Sequence, residues 1–388
     1  MKSSRRSAEP WSAEGPSRRM SPSPGRILIV NPFGIGDVLF TTPLVRAVRR
    51  AFPASRLYYL CNRRTEEILR NNPHLDRLFV YEKDELVARW RASPRQGLRE
   101  VGRLFRRLRQ ERFDLVIDLS LGERYGFLLK CFGVPRRIGF NYRNRGRFLS
   151  EALPIDGYHD AHVVDYYRRL LRFMGMRLVE DSLELQPSEE DQRWAGEWLR
   201  SRGLGSGRFL VGIVPAGGVS WGISAPFRRW NAEGFAAVGD WLIERHGAQA
   251  LLFGEAADRS ICRTVARLMQ HPTLDVSGQT TLGQFVGLLG RLDLVICNDG
   301  GPLHLAVTQG VKTVSVFGPV DPAVYGPYPP GAQHRVVYRP DLPCRPCYRQ
   351  FRLPPCPYER ACLRELDAEM VMDACEEVLA GAVPVGRG

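Results

Sequence analysis

The sequence has no apolar run approaching the ~18 residues that a membrane-spanning helix needs, so it predicts no transmembrane segment. Residues 1–25 also lack the apolar stretch of a secretory signal, and they are rich in Ser, Pro and Arg instead. We therefore expect a flexible leader over residues 1–25 of a cytoplasmic protein. Internal repeats are absent, and the leader is the only low-complexity segment.

Lysine is scarce, with only four Lys among the 55 basic residues, yet the net charge is +13. Residues 27–180 carry 29 basic and 17 acidic residues, whereas residues 181–388 carry 20 and 23. This asymmetry indicates that residues 27–180 meet an anionic partner, such as nucleic acid, a phosphorylated glycolipid or an acidic membrane face. The alternative is that a bias toward Arg codons has added ordinary solvated surface Arg.

A basic amphipathic pattern runs along residues 99–112, where six Arg are interleaved with Val and Leu and Phe. A helix of this kind can lie on an anionic membrane surface. The alternative is a solvated basic face above an ordinary core.

The overall composition is that of a globular protein, with 44% hydrophobic and 25% charged residues. This excludes a disordered, collagenous or coiled-coil chain. A length of 388 residues exceeds the roughly 100–200 of one domain, so we expect two domains. Nine Cys in a chain without a secretory signal argue against a disulfide scaffold. Five of them are scattered among apolar neighbours and are interpreted as core residues: Cys61, Cys131, Cys262, Cys297 and Cys375.

Short apolar runs alternate with helix-period segments from residue 26 onward, which is typical of parallel α/β layers. Residues 188–191 carry a helix-capping signal, which predicts that a helix begins there. A second series of alternating apolar runs and helix-period segments follows this helix. We predict two facing, Rossmann-like, doubly wound domains at 26–180 and 208–365, with a linker and helix at 181–207 and a C-terminal helix and tail at 366–388. The predicted strands are residues 27–31, 57–61, 78–81, 115–119, 209–214, 250–253, 294–297 and 313–317.

The loop after the first predicted strand contains Gly34, Gly36 and Asp37. It is not a dinucleotide fingerprint, because the third Gly would fall at Leu39 and Asp37 would repel a phosphate at the helix N-terminus. The two glycines permit a tight turn that brings a substrate close to Asp37, which suits a general base above an interdomain cleft. The alternative is that Asp37 merely caps the helix.

Two further loops predict an anion site in the second domain. After residues 294–297, Gly300 and Gly301 precede a Pro at the first helical position, which leaves backbone N–H groups open at a helix start. The alternative for this loop is a plain tight turn. His304, one turn further on, either faces the site or is a packed core histidine.

The loop after residues 209–214 contains Gly217 and Gly218, and Arg228 and Arg229 follow near the same sheet edge. Two Arg and a helix N-terminus can neutralise a diphosphate without a metal ion.

The segment 26–43, RILIVNPFGIGDVLFTTP, resembles the opening of glycosyltransferase family 9, the bacterial ADP-heptose:lipopolysaccharide heptosyltransferases and their relatives. The segments 298–306 (NDGGPLHLA) and 314–322 (VSVFGPVDP), with Tyr325-Gly-Pro after them, resemble the second signature of that family. Order and spacing fit across about residues 26–380.

This resemblance implies a GT-B fold, with the acceptor on residues 26–180 and a nucleotide-sugar donor on residues 208–365. It also implies an inverting transfer that requires no metal or other cofactor. Asp37 would take the proton from the acceptor hydroxyl, and Gly34, Gly36 and Thr41 would belong to the acceptor-side loop.

The donor site follows from the same resemblance. The diphosphate would be held by Gly300 and Gly301 and by Arg228 or Arg229, where the family usually has Lys. In relatives an acidic residue holds the ribose hydroxyls, a role that Glu255 or Asp258 would take here. The remaining donor-side residues are Gly217, Gly218, His304 and Asp299, of which Asp299 would orient the loop or touch the sugar.

Four Cys lie close together within the Pro-rich loop 344–362, at Cys344, Cys347, Cys356 and Cys362. One CxxC pair with two further Cys is compatible with a structural zinc site of four thiolates. The second pair is not CxxC, so an iron–sulfur cluster or free, redox-labile thiols stay open as alternatives.

The leading hypothesis is an inverting glycosyltransferase in lipopolysaccharide core biosynthesis, which moves a sugar, most simply heptose from ADP-heptose, to a lipid-linked anionic acceptor. It would contact the cytoplasmic face of the inner membrane peripherally and bind no nucleic acid. One alternative is a GT-B sugar-nucleotide epimerase, which would need no basic acceptor domain. The other is a basic nucleic-acid-binding protein, whose binding would fall steeply with salt and ignore Asp37.

Overall fold

The computed structural model describes residues 23–82, 93–205, 207–217 and 222–381, and within them the strands form two six-stranded parallel sheets. We call the part of the chain around the first sheet the N-terminal half and the part around the second sheet the C-terminal half. The first sheet has the order β3-β2-β1-β4-β5-β6 and the second has β12-β11-β10-β7-β8-β9. The strands of the first are β1 (Arg26–Val30), β2 (Arg56–Cys61), β3 (Arg77–Val80), β4 (Leu115–Asp118), β5 (Arg136–Tyr142) and β6 (Glu151–Ile155). Those of the second are β7 (Leu210–Val214), β8 (Gln249–Leu252), β9 (Leu274–Asp275), β10 (Leu294–Asn298), β11 (Lys312–Val316) and β12 (His334–Val337).

Helices cover both faces of each sheet, and amphipathic patterning determines which side of each helix is buried. In the N-terminal half they are α1 (Ile35–Leu39), α2 (Thr42–Ala51), α3 (Arg63–Leu69), α4 (Pro94–Gln110), α5 (Glu123–Cys131) and α6 (Val163–Phe173). In the C-terminal half they are α7 (Glu189–Arg200), α8 (Ala232–His246), α9 (Arg259–Leu268), α10 (Leu282–Leu289), α11 (Gly301–Thr308), α12 (Pro322–Tyr325), α13 (Ala361–Arg364) and α14 (Ala368–Ala380). Two short 3-10 turns lie at Gly222–Arg228 and Ala256–Asp258.

The central strands β1, β4, β7 and β10 are buried along almost their whole length, which explains why their sequences are continuous apolar runs. One apolar cluster contains residues from the inner faces of both sheets, and a second and a third cluster fill the outer faces.

Both sheets have the doubly wound order in which the first strand lies beside the fourth. The order of the strands therefore reverses between β1 and β4 and again between β7 and β10. Ligands of such sheets bind outside the carboxyl ends of the strands at this reversal. The loops after these four strands are thus the places where the topology predicts a site.

All eight predicted strands are confirmed to within one residue at each end, and so is the GT-B arrangement of two Rossmann-like sheets. The predicted helix after the capping signal is α7, and the hydroxyl of its N-cap Ser188 accepts a hydrogen bond from the Asp191 amide at 3.0 Å. Four strands were not predicted: β5, β6, β9 and β12. Their sequences are polar, partly exposed or very short, so they lack the apolar run that marks a buried strand.

The first turn of helix α7 packs against α10, where two glycines leave room for it. A Cβ on Gly283 would lie 2.4 Å from Asp191 Oδ2, and one on Gly287 would lie 2.7 Å from the Asp191 carbonyl oxygen. Helix α14 contacts α8, β11 and β12 of the same half. Among the described residues, no helix combines the length and the apolar character that a membrane span requires.

Gly139 of β5 tests the close packing of the first sheet. A Cβ there would lie 2.2 Å from the carbonyl oxygen of Asp118 in β4, so Gly139→Ala must push two paired strands apart. We expect the free energy of unfolding of the Gly139→Ala variant to be about 1–3 kcal/mol lower than that of the wild type, which is the usual cost of overpacking. The control is Gly102→Ala on the exposed side of α4, where nothing lies within 4 Å. In urea denaturation, the free energy of unfolding of this control should equal that of the wild type or exceed it by up to about 1 kcal/mol.

Candidate active site

A cavity of about 970 Å³ lies between the carboxyl ends of the two sheets. It is lined by the loops that follow β1, β4, β7 and β10, the four loops at which the strand order reverses. The topology therefore brings together in space the loops that the sequence marks with Gly and with charged side chains.

Asp37 lies in the first turn of α1 and lines this cavity. Its carboxylate Oδ2 accepts a hydrogen bond from the Gly34 amide at 3.2 Å, and its carbonyl oxygen accepts one from Asn31 Nδ2 at 3.1 Å. Burial raises the pKa of Asp37 to about 6, while the Gly34 amide and the charge of Arg228 act in the opposite direction. Asp37 thus has the capping geometry of the alternative interpretation and also the environment of a general base.

Two glycines allow the halves to touch beside Asp37. A Cβ on Gly36 would lie 2.8 Å from Cδ2 of His304, and a Cβ on Gly301 would lie 3.1 Å from Cβ of Ile35. The loop after β1 and the start of α11 are therefore in contact across the cleft. Any larger residue at Gly36 would separate them.

The opposite wall of the cleft has the features of an anion site. Gly300 has φ 151°, a conformation open mainly to glycine, and a Cβ there would lie 2.6 Å from the Gly217 carbonyl oxygen. It is the N-cap of α11, whose first backbone N–H groups lie at the cavity. Gly217 lines the cavity as well, whereas Gly218 lies outside the described residues.

Arg228 supplies a cation to this wall and is bound to Asp299. Its Nη2 and Nε lie 2.6 and 2.9 Å from Asp299 Oδ2, and both side chains are largely buried. Burial raises the pKa of Asp299, and the adjacent guanidinium opposes that rise. Asp299 therefore orients Arg228. The two roles predicted for Asp299, orienting the loop or touching the sugar, stay predictions.

Arg229 is directed away from the cavity. Its Nε donates to the Ala216 carbonyl oxygen at 2.7 Å, and its Nη2 lies 3.8 Å from Asp258 Oδ1. Of the two predicted cations, Arg228 alone is among the residues that line the cleft in the described part of the chain.

Glu255 and Asp258 both line the cavity, but they differ in what their carboxylates do. Asp258 is buried and accepts a hydrogen bond from the Glu255 amide at 3.0 Å. Glu255 is exposed at the wall of the cleft, and partial burial raises the pKa of its carboxyl group.

The structure corrects one predicted contact. Thr41 does not reach the cleft, because it is fully buried and its hydroxyl donates to the Val38 carbonyl oxygen at 2.7 Å. His304 lines the cavity, and burial lowers its pKa to about 3. Its ring packs edge-on against Phe40 with the centroids 4.5 Å apart, which makes it part of the contact between the halves.

The thiols of the Cys-rich loop do not fit a zinc ion in this geometry. Within the described ranges, which include all four thiols, no group of three or more Cys, His, Asp or Glu is arranged to hold a metal. Cys362 is buried in the outer apolar cluster of the second sheet, and this burial raises its pKa to about 11. Cys356 Sγ instead accepts a hydrogen bond from the Arg360 amide at 3.3 Å.

Sequence reasoning missed a shell of tyrosines around Asp37. Burial is the main cause that raises their pKa values, and the Asp37 carboxylate contributes to the rise in each. All four line the cavity: Tyr158, Tyr167, Tyr325 and Tyr348. They come from two widely separated parts of the chain, and of the four only Tyr325 stands in a motif that the sequence marks.

Asn298, the last residue of β10, was also missed as a functional position. Its fully buried side chain accepts a hydrogen bond from the Trp230 amide at 2.8 Å and donates one to the Pro215 carbonyl oxygen at 2.7 Å. It thereby joins the loop after β7 to the segment that carries Arg228.

Asn298→Ala should therefore lower the free energy of unfolding by about 2–6 kcal/mol, because it leaves two buried backbone groups unpaired at about 1–3 kcal/mol each. Urea denaturation measures this effect. The matched control is Asn71→Ala, which removes one exposed hydrogen bond to the Gln186 carbonyl oxygen and should stay within about 0.5 kcal/mol of the wild type. Equal losses in the two variants would contradict the bridging role of Asn298.

Comparison with known proteins agrees with this geometry. The family model described as "Glycosyltransferase family 9 (heptosyltransferase)" matches residues 101–353. Among curated proteins, the chain is 23% identical to the lipopolysaccharide core heptosyltransferase OpsX of Haemophilus influenzae over 310 residues, which cover 79% of this chain and 82% of that protein.

Solved structures show the same fold. A glycosyltransferase family 9 protein from Veillonella parvula superposes with a TM-score of 0.76 at 26% identity, covering 92% of this chain and 98% of that one. The ADP-heptose lipopolysaccharide heptosyltransferase II of E. coli superposes with a TM-score of 0.69 at 20% identity, with the same coverage. The family match, the two facing Rossmann-like sheets and the charged cleft between them agree: the chain belongs to glycosyltransferase family 9, and it is a glycosyltransferase.

Proposed function

We propose that this chain transfers heptose from ADP-heptose to a lipid-linked, anionic saccharide acceptor of the lipopolysaccharide core, with inversion at the anomeric carbon. The observation that carries the proposal is the pairing across one cleft of Asp37, with its raised pKa, and the anion wall formed by Arg228 and the start of α11. The names of the relatives supply the sugar, the nucleotide and the acceptor class.

Asp37 is the general base in this proposal. Its carboxylate takes the proton of an acceptor hydroxyl while that oxygen attacks the anomeric carbon of the donor. The bond from the anomeric carbon to the phosphate oxygen breaks as the glycosidic bond forms, so ADP leaves with the electron pair. One base on the face opposite the leaving group is what an inverting transfer needs.

The leaving diphosphate is neutralised by protein groups, and the reaction therefore requires no catalytic metal ion. Arg228, oriented by Asp299, offers a charged guanidinium. The backbone N–H groups at Gly300 and Gly301 add the N-terminal dipole of α11. Glu255 binds the ribose hydroxyls, because its carboxylate is exposed in the cleft whereas that of Asp258 is occupied by the Glu255 amide.

The acceptor binds to the N-terminal half. Residues 27–180 carry an excess of 12 basic residues, which favours an anionic substrate at a membrane surface. A lipid-linked acceptor places the protein peripherally at the cytoplasmic face of the inner membrane. Nucleic acid and epimerase chemistry have no part in this proposal.

Asp37→Asn tests the role of the base. We expect the rate of heptosyl transfer to fall by about 10²–10⁴-fold, the usual contribution of a general base. Calorimetry should show ADP binding that is unchanged or slightly tighter, because a negative charge near Arg228 has been removed. Asp156→Asn, at an exposed carboxylate of the N-terminal half, is the control and should leave the rate unchanged. Parallel loss of ADP binding and of transfer would mean that Asp37 only supports the fold.

The carboxyl group of Asp37 also determines how the transfer rate depends on pH. A base must be deprotonated, and the pKa of Asp37 is raised to about 6, so kcat/KM for the acceptor should rise tenfold per pH unit below about pH 6 and level off above it. The residual kcat/KM of Asp37→Asn should not change with pH in this range. This comparison distinguishes titration of Asp37 from titration of acceptor phosphates, which occurs at similar pH. An equal rise with pH in both proteins would show that the acceptor is the titrating group.

A further inference from the structure

A short hairpin of the C-terminal half reaches the N-terminal half at the wall of the cleft. Arg349 and Arg352 exchange backbone hydrogen bonds of 3.1 and 3.0 Å, and the two residues between them form the tip. Gln350 and Phe351 have φ values of 51° and 61°. Side chains as bulky as Phe rarely adopt this conformation, and residues held in it are concentrated at functional sites.

A matching turn in the N-terminal half receives this tip. The Arg145 amide donates to the Tyr142 carbonyl oxygen at 3.0 Å, and Arg143 and Asn144 between them have φ values of 50° and 61°. The turn follows directly from β5, and Arg143 and Arg145 both line the cleft. Two strained turns thus meet across the cleft.

Two hydrogen bonds and two ring contacts fix the hairpin against the N-terminal half. The Tyr142 hydroxyl donates to the Gln350 carbonyl oxygen at 3.0 Å, and Arg143 Nη2 donates to Gln350 Oε1 at 2.8 Å. The Phe351 ring packs edge-on against Tyr142 and Tyr158, with both centroid distances at 5.2 Å. We call residues 142–145 and 349–352 together the hairpin–turn junction.

The junction is strongly basic on the side that faces the cleft. Arg143, Arg145 and Arg352 line the cavity there, and no carboxylate of the junction does. Within the described ranges, neither Arg145 nor Arg352 forms a salt bridge, whereas the nearby Arg147 is paired with Glu123 at 2.6 Å. Unpaired cations that share a cleft repel each other unless an anion lies between them.

We propose that the hairpin–turn junction binds an anionic group of the acceptor, a phosphate or a carboxylate, through Arg145 of one half and Arg352 of the other. The inference rests on the proposed function and adds that the C-terminal half contributes to acceptor recognition. Because the two cations come from different halves, the site is complete only while Gln350 holds the halves together. Tyr348, just before the hairpin, belongs to the tyrosine shell around Asp37, so an acceptor bound at the junction extends toward the base.

Arg352→Gln and Arg145→Gln test the site, since both side chains are exposed and their loss should not affect folding. Each should raise the KM for heptose-free lipopolysaccharide about 10–100-fold, the contribution of a charge-assisted hydrogen bond. The KM for ADP-heptose should not change. Arg352→Lys should recover part of the loss. The matched control is Arg147→Gln, just outside the junction, which is exposed, is paired with Glu123, does not line the cleft and should behave as the wild type.

Binding measured without turnover separates this inference from the proposed function. In an Asp37→Asn background, vesicles that contain heptose-free lipopolysaccharide are titrated against each variant, and ADP is titrated separately by calorimetry. Failure of ADP to bind the wild type contradicts the proposed function. Equal acceptor binding by the wild type and Arg352→Gln, or no acceptor binding by either, contradicts the inference.

The same titration with a chemically dephosphorylated acceptor identifies the anion. If the effect of Arg352→Gln disappears on this acceptor, the bound group is a phosphate. If the effect persists in full, the bound group is a carboxylate. A variant that loses ADP affinity in the same proportion as acceptor affinity would show that Arg352 acts on the donor diphosphate, and it would overturn the assignment.

Discussion

The site depends on the close approach of two backbones, the loop after β1 and the start of α11. This approach is possible because Gly36 and Gly301 have no side chains where His304 and Ile35 lie against them. The contact puts Asp37 of one sheet opposite the N–H groups of a helix from the other. A base and a leaving-group site can act on one glycosidic centre only if they are held together in this way. The parallel sheets, with their strand order reversing at these loops, are the support that makes the contact rigid.

Charge is divided along the cleft in a manner that suits a transfer reaction. Asp299 binds the cation Arg228 and Glu255 is exposed in the cleft, while the cleft-facing side of the hairpin–turn junction is basic. Asp37 lies within the shell of tyrosines, and its burial explains why its pKa is raised despite a guanidinium nearby. Burial is therefore the larger influence on this carboxyl group, and it leaves the group able to accept a proton near neutral pH.

The sequence was informative wherever the signal is local. Buried parallel strands are apolar runs, so eight strands could be predicted, and Asp37, Gly300 and Arg228 stand in short motifs whose chemistry can be stated. Local motifs do not reveal which way a side chain faces, and for that reason Thr41 was placed at the cleft although it caps a buried turn. Contacts between distant segments carry no sequence signal at all. Tyr142 and Gln350, for example, are 208 residues apart in the chain, and only the fold brings them together.

In the proposed reaction, the start of α11 and Arg228 bind the diphosphate of an ADP-linked donor. A thermal unfolding series with ADP, UDP and GDP tests it most directly, because a ligand that binds only the folded state must raise its stability, by about 2.7 kcal/mol at a hundred times Kd. We expect ADP to raise the Tm of the wild type more than UDP or GDP does. In Gly300→Asp, a carboxylate at a position with φ 151° and no room for a Cβ should abolish the increase relative to that variant's own Tm. If no nucleotide stabilises the wild type, or if ADP stabilises both proteins equally, the donor does not bind at Arg228 and the start of α11.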